Sequence, residues 1–288
     1  MAKRFLIVAL SAGLILFGCG KKNTAAETGQ VKAVCLISDS NGNQPASDSF
    51  IVFPMGIECK TDAEGKFTIS YEQPDDERGL LIYVRHKEPD LIGSGWLPKS
   101  GGEVQIKLAK AATASGQVTD PNGSPVAGVQ VAALPMSNRF VLTDSEGKFD
   151  ISWDPVWGPS EGLYLMARHI ELNLASLVEI IPETKNYEIR LAPALTLAGI
   201  VTDSNDNPIA GAKVGLSLRK SSWGCGTPVE PVVTDKQGRY EFRALPQQQE
   251  YKNYANAEGY FEGSITTGIS NKITGRDDFG QIILKKIE

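Results

Sequence analysis

His86 and His169 are the only histidines in the 288-residue chain, and each closes a similar phrase, YVRH at 83–86 and YLMARH at 164–169. Lying 83 residues apart with Arg85 and Arg168 beside them, they suggest a paired site for anions. A zinc peptidase would need a glutamate or a second histidine at fixed helical spacing, plus a further ligand. Pro89 and Leu172 stand three places beyond the two histidines, so that motif is absent. A third relative of the phrase, ANAEGYF at 255–261, has Gly259 at the expected histidine position. A position so readily vacated is expected to pack a strand end or form a turn rather than catalyse. No Gly-x-Ser-x-Gly elbow and no phosphate-binding glycine loop occurs either, which argues against the common hydrolases and implies neither metal nor cofactor.

Other chemistry-bearing residues are sparse. The turns DSNGN (39–43), DPNGS (120–124) and DSNDN (203–207) are dense in oxygen, as calcium loops are. An EF-hand needs glutamate at its twelfth position, where Phe50, Val131 and Val214 stand, so each turn reads as an aspartate accepting bonds from the backbone just ahead. Cys35 and Cys59 are candidates for an intradomain disulfide, a bond that persists outside the cytoplasm. For Cys225, within KSSWGCGTPVE (220–230), pairing with another chain and simple burial both stay open. Trp157 and Trp223 sit among Pro and Gly and are candidates for contact with a ligand or partner, because an exposed ring stacks on sugars or anchors an interface. Trp153 continues the alternation begun by Phe149 and is expected in the core.

The elements that position these residues are written in repeats. TDAEGKF (61–67) returns as TDSEGKF (143–149) and TDKQGRY (234–240). Its Asp, Gly and aromatic residue predict a hairpin turn, with Gly supplying the positive φ and the aromatic opening a half-buried strand. GQVTDPNGSPVAGVQV (116–131) and GIVTDSNDNPIAGAKV (199–214) precede two of these turns, with CLISDSNGNQPASDSFIV (35–52) a weaker relative. Short alternating strands close each unit at GEVQIKLAK (102–110), NYEIRLAP (186–193) and FGQIILKK (279–286). A period of 80 to 90 residues exceeds that of solenoid repeats and predicts tandem domains.

The phrases G-x-V-T-D-x-x-G-x-P-x-x-G-x-x-V and T-D-x-x-G-x-[FY] resemble the carboxypeptidase regulatory-like domain, also described as transthyretin-like or carbohydrate-binding-like. The likeness runs through nearly all of residues 31–288 and is strongest in the second and third copies. It implies an all-β protein of three tandem Greek-key-type β-sandwiches at 31–110, 111–193 and 194–288. It implies no peptidase, since in that family the accessory domain follows a separate zinc domain. An unmodified fold of this kind is a structural or interaction module, with glycan binding the alternative and an enzyme of unrecognised type the remote one.

Ahead of the repeats, Lys3 and Arg4 introduce a 13-residue apolar run (5–17), too short to span a bilayer and suited to a signal peptide at 1–18. Leu16-Phe17-Gly18-Cys19 resembles a lipobox, which would make Cys19 a lipidated N-terminus on a polar tether at 19–30. Gly20 in place of Asp resembles lipoproteins passed on to an outer membrane, so a lipid-anchored place in the cell envelope is expected, periplasmic or surface-facing. Loss of residues 1–18 takes the formal charge from −5 to about −7, without the basic cluster that nucleic acid requires. The expected partners are the membrane, through the lipid, and glycans or envelope proteins. A fatty-acid probe should label the protein metabolically, and Cys19→Ala should abolish the label and release the chain from membranes; a Cys19→Ala protein that stays membrane-bound would contradict the anchor.

Overall fold

The computed structural model describes residues 30–39, 41–43, 49–53, 57–73, 79–86, 90–134, 140–154, 162–181, 183–220, 223–224, 229–261, 263–266 and 275–287. Residues 1–29, which include Cys19, together with Trp157 and Cys225 lie outside them. Every regular element among the described residues is a strand, and the chain divides into two compact units after Ala109.

The first unit contains β1 (Gln30–Asp39), β2 (Ser49–Phe53), β3 (Ile57–Lys60), β4 (Lys66–Glu72), β5 (Leu80–His86), β6 (Leu91–Leu97) and β7 (Gly102–Lys110), in the order β3-β2-β5-β6-β7-β1-β4. Period-two patterning builds its interior: Val104, Ile106 and Leu108 point inward while Glu103, Gln105 and Lys107 face water. Phe67, Ile69 and Tyr71 of β4 meet them, with Val52, Ile82, Val84 and Leu97, in one core.

The second unit holds two repeats. One comprises β8 (Ala112–Thr119), β9 (Gln130–Leu134), β10 (Phe140–Leu142), β11 (Lys148–Trp153), β12 (Tyr164–His169), β13 (Leu174–Glu179), β14 (Asn186–Arg190) and β15 (Ala192–Pro193). The other comprises β16 (Leu195–Asp203), β17 (Lys213–Lys220), β18 (Trp223–Gly224), β19 (Val232–Val233), β20 (Arg239–Leu245), β21 (Glu250–Asn256), β22 (Gly263–Thr266) and β23 (Gly275–Leu284). All three repeats place their first strand between an antiparallel neighbour and a parallel last strand: β4-β1-β7, β11-β8-β14 and β20-β16-β23. In the second unit a separate sheet faces each of these, β10-β9-β12-β13-β15 in one repeat and β18-β17-β21-β22 in the other.

The thrice-repeated phrase closes as its chemistry requires. Asp144 accepts from the backbone N–H of Glu146 and Lys148 at 2.8 and 2.9 Å, and Gly147 has φ 71°. A Cβ at Gly147 would also fall 2.5 Å from the Val118 carbonyl, so the position excludes any side chain. The expectation of a hairpin is corrected, however: β10 pairs with β9 and β11 pairs with β8, so the turn is a corner carrying the chain from one sheet to the other. Thr143 pins that corner, its hydroxyl accepting from Val129 N–H and donating to the Val126 carbonyl. Thr234 does the same with Ala212 and Ile209 in the third repeat.

The division expected after residue 193 falls inside the second unit, whose two repeats share an interior. Along β12, Leu165 and Ala167 alternate with Met166 and Arg168, yet all four are buried. Leu134 and Met166 join the third repeat's core, beside Leu195, Phe242, Leu245 and Tyr251. The β9–β12–β13 sheet therefore has two covered faces. At the seam, β20 carries a bulge: Leu195 pairs with Leu245 and Leu197 with Phe242, so Arg243 and Ala244 together oppose Thr196. Ala244 adopts φ 54°, rare for a residue with a Cβ. Its N–H donates to Asn173 Oδ1 at 2.8 Å, and the Arg243 carbonyl accepts from Arg168 Nη2 at 2.8 Å. Asn173 Nδ2 in turn donates to the Ala194 carbonyl at 3.1 Å, closing the seam from the second repeat's side.

Replacing Asn173 by Ala leaves the bulge N–H without its acceptor and puts a less tolerant residue at φ 51°. Asn173→Ala should cost about 2–3 kcal/mol in denaturant unfolding of the second unit. A change below about 0.5 kcal/mol, the range of ordinary surface substitutions, would show that the seam does not depend on this residue.

Candidate functional site

The two histidine phrases occupy the same place in their sheets, ending β5 and β12, where His86 pairs with Leu91 and His169 with Leu174. His86 is buried, and His169 Nδ1 accepts from the N–H of Leu172 at 3.3 Å, which ties the turn that follows. Both stand at strand ends, as the vacated position in the third repeat suggests. In the third repeat, Val214 pairs with Ala255 as Val131 pairs with Ala167, so Ala257, two residues before Gly259, takes the histidine position.

The neighbouring arginines differ sharply. Arg85 makes a two-pronged ion pair with Asp90, Nε to Oδ1 at 2.7 Å and Nη2 to Oδ2 at 2.9 Å. The corresponding residue 83 places on is Asn173, a neutral amide engaged at the seam. Arg168 therefore has no matching carboxylate. It is 8% exposed, Nη2 is its one hydrogen-bonding nitrogen among the described residues, and buried Nε has no partner. Burial lowers its pKa to about 10, an effect the nearby Tyr251 partly offsets, so it remains a cation at neutral pH. Tyr251 is itself fully buried, its hydroxyl pushed upward by burial and donated to the Pro246 carbonyl.

Arg168 lines a cleft of about 300 Å³ at the seam. Ala132, Phe140, Met166 and Ile170 of the second repeat form one wall; Val229, Val232 and Phe242 of the third form the other. Phe140 is 42% exposed and marks the mouth. Glu241, on the lining, is engaged by Arg276 at 2.5 Å and Arg243 at 3.9 Å, while Glu230 is exposed. Reading from sequence singled out Arg168 as an anion contact but did not bring it together with Phe140, Val232 or the bulge.

Of the remaining candidates, Trp157 and Cys225 lie outside the described residues. Trp153 is buried, as its alternation required. Trp223 lies on β18 opposite Lys220, its side chain outside the described atoms. Trp96, not singled out beforehand, is 41% exposed on β6. Cys35 and Cys59 are both buried in the first unit's core. Cys35 stands on β1 opposite Phe67, and Cys59 on β3 opposite Phe50, strands at distant places in the order. No group of three or more His, Cys, Asp or Glu side chains suited to a metal occurs among the described residues.

Residues 196–272 match the carboxypeptidase regulatory-like domain. No curated protein matches the chain. Among solved structures, the Bacillus anthracis TIE protein aligns over 90% of this chain and 51% of its own length, with 12% identity and a TM-score of 0.28. This chain thus spans about half of that relative. A streptococcal ancillary pilin aligns over 90% of this chain and 99% of its own, at 12% identity and 0.26. A shaft pilin of Lactobacillus rhamnosus GG aligns over 62% and 98%, at 8% identity and 0.29.

The oxygen-dense turns keep their aspartates occupied. Asp39 and Asp120 each accept from two backbone N–H groups at 2.8–2.9 Å, as does Asp203, which also accepts from the Asn207 amide. These bonds favour the charged form and lower all three pKa values: the N–H of Asn43 leads for Asp39, that of Ser124 for Asp120, and the Asn207 side chain for Asp203. A depressed folded pKa means the stabilisation is complete above the unfolded value and is lost as pH falls through the lower folded one. Carboxyl-detected NMR titration should therefore place all three midpoints below the ordinary 3.8. Midpoints at or above that value would contradict the bonding.

Proposed function

We propose that the chain is a non-catalytic cell-envelope lipoprotein, anchored by lipid on Cys19, whose three carboxypeptidase regulatory-like modules act as a structural or interaction surface. The observation that supports it best is the continuous interior of residues 110–288. Two repeats spend an apolar sheet face and a buried arginine–asparagine seam on holding each other. Side chains of catalytic type are committed elsewhere: the histidines at strand ends, the turn aspartates to backbone N–H groups. A paired scaffold of this kind keeps binding residues on separate repeats in fixed relation, which suits recognition. In this reading the lipid sits in the outer membrane, with the modules on its periplasmic or outer side.

A second reading, glycan binding, draws on the exposed ring of Trp96 and on the composition around Trp157 and Trp223. Chemical crosslinking in intact envelopes separates the two. The first reading expects a small, defined set of envelope proteins joined to the wild-type chain and lost in Cys19→Ala. Retention on a polysaccharide that disappears in Trp96→Ala, Trp157→Ala or Trp223→Ala, with no protein neighbours, would replace it by the second.

A further inference from the structure

Arg168 presents a problem that its counterpart in the first repeat does not. Arg85 is neutralised by Asp90; Arg168, at the same register, has lost that acid to Asn173 and yet is more deeply buried. Arginine is almost never buried without a paired charge, because desolvation of the guanidinium goes uncompensated. Among the described residues no carboxylate lies within ion-pair reach of it, although Glu241 and Glu230 line the same cleft. Glu241 is held by Arg276 and Arg243, and Glu230 faces water. Among the described residues the guanidinium's one bond is to a backbone carbonyl, which carries no charge to balance it.

Most of the cleft around that cation is apolar, with Gln130, Glu230, Glu241 and Arg243 as its polar lining. Met166, Phe140 and Ile170 on one wall and Val229, Val232 and Phe242 on the other enclose about 300 Å³, the lower end of the range for small-molecule sites. Phe140, on the lining, remains 42% exposed, so apolar surface continues from the cleft to its rim. A buried positive charge at one place in an apolar cleft selects a single anionic group joined to an apolar body. A polyanion such as phosphate would find Arg168, an Arg243 already facing Glu241 at 3.9 Å, and the two carboxylates Glu230 and Glu241, a poor match. We propose that this cleft between the second and third repeats binds a small apolar monocarboxylate, with the ligand's carboxylate supplying Arg168 with the counter-ion that Asp90 supplies to Arg85.

The site is independent of membrane anchoring: a soluble acid would bind whether or not Cys19 carries lipid. Calorimetric titration of the purified full chain with 3-phenylpropionate and with 3-phenylpropionamide tests it, since the two probes share an apolar body and differ in charge. The acid should bind with Kd below about 1 mM and at least tenfold more tightly than the amide, and NMR perturbations should centre on Phe140, Met166 and Val232. Arg168→Gln, which keeps a donor for the Arg243 carbonyl, should weaken the acid about tenfold or more and leave the amide unchanged. Phe140→Ala, at an exposed position, should weaken both probes. Equal binding of acid and amide, no binding of the acid at 10 mM, or undiminished acid binding by Arg168→Gln would each overturn the assignment. The wild-type comparison decides the matter even if the Arg168 variant fails to fold.

Discussion

The second half of this molecule depends on two backbone groups that its own ladder cannot satisfy. The bulge in β20 brings two residues opposite Thr196 and turns the Arg243 carbonyl and the Ala244 N–H outward. Buried and unpaired, such groups would each cost about 1–3 kcal/mol. Arg168 and Asn173 of the preceding repeat take both, at 2.8 Å each. The bulge in one repeat and the hairpin end in another are therefore stable only together. That reciprocity explains why Ala244 tolerates a left-handed conformation that it would not adopt alone.

The apolar contact around the seam follows from the same arrangement. A sheet with one solvated face alternates apolar and polar residues, but β12 buries Leu165, Met166, Ala167 and Arg168 in succession. Met166 and Leu134 cross into the neighbour's core, while Leu165 and Ala167 stay in their own repeat. Truncating a buried methionine of this kind usually costs about 2–5 kcal/mol, so the shared face is a large part of what holds the two repeats together. Arg168 is the exception on that face: it carries charge into a place where the backbone needs a long donor, and the cleft beside it is the space the packing leaves open.

Much of this was legible in the residues. The corner turns follow from Asp and Gly, and the half-buried strands from alternation; Phe149, Ile151 and Trp153 lie where that alternation puts them. In sequence the corner looks like a hairpin because the local chemistry of the two is the same. Only the later divergence of β10 and β11 into separate sheets distinguishes them, and that is a long-range property. The doubly buried sheet had a signal in the unbroken apolar run LYLMA ahead of Arg168. The exchange of Asp90 for Asn173 was likewise visible at the 83-residue spacing. The bulge had none, since alanine has no preference for φ above zero and nothing in RYEFRAL marks an extra residue. Without it the two arginines look alike, and the cleft could not be foreseen.

Native-state hydrogen exchange on the full chain tests the reciprocal seam most directly. If the second and third repeats are one cooperative body, the slowest amides of β8, β9 and β12 share a single opening free energy and denaturant dependence with those of β16, β20 and β21. Two distinct opening free energies, with one repeat opening while the other stays protected, would contradict it.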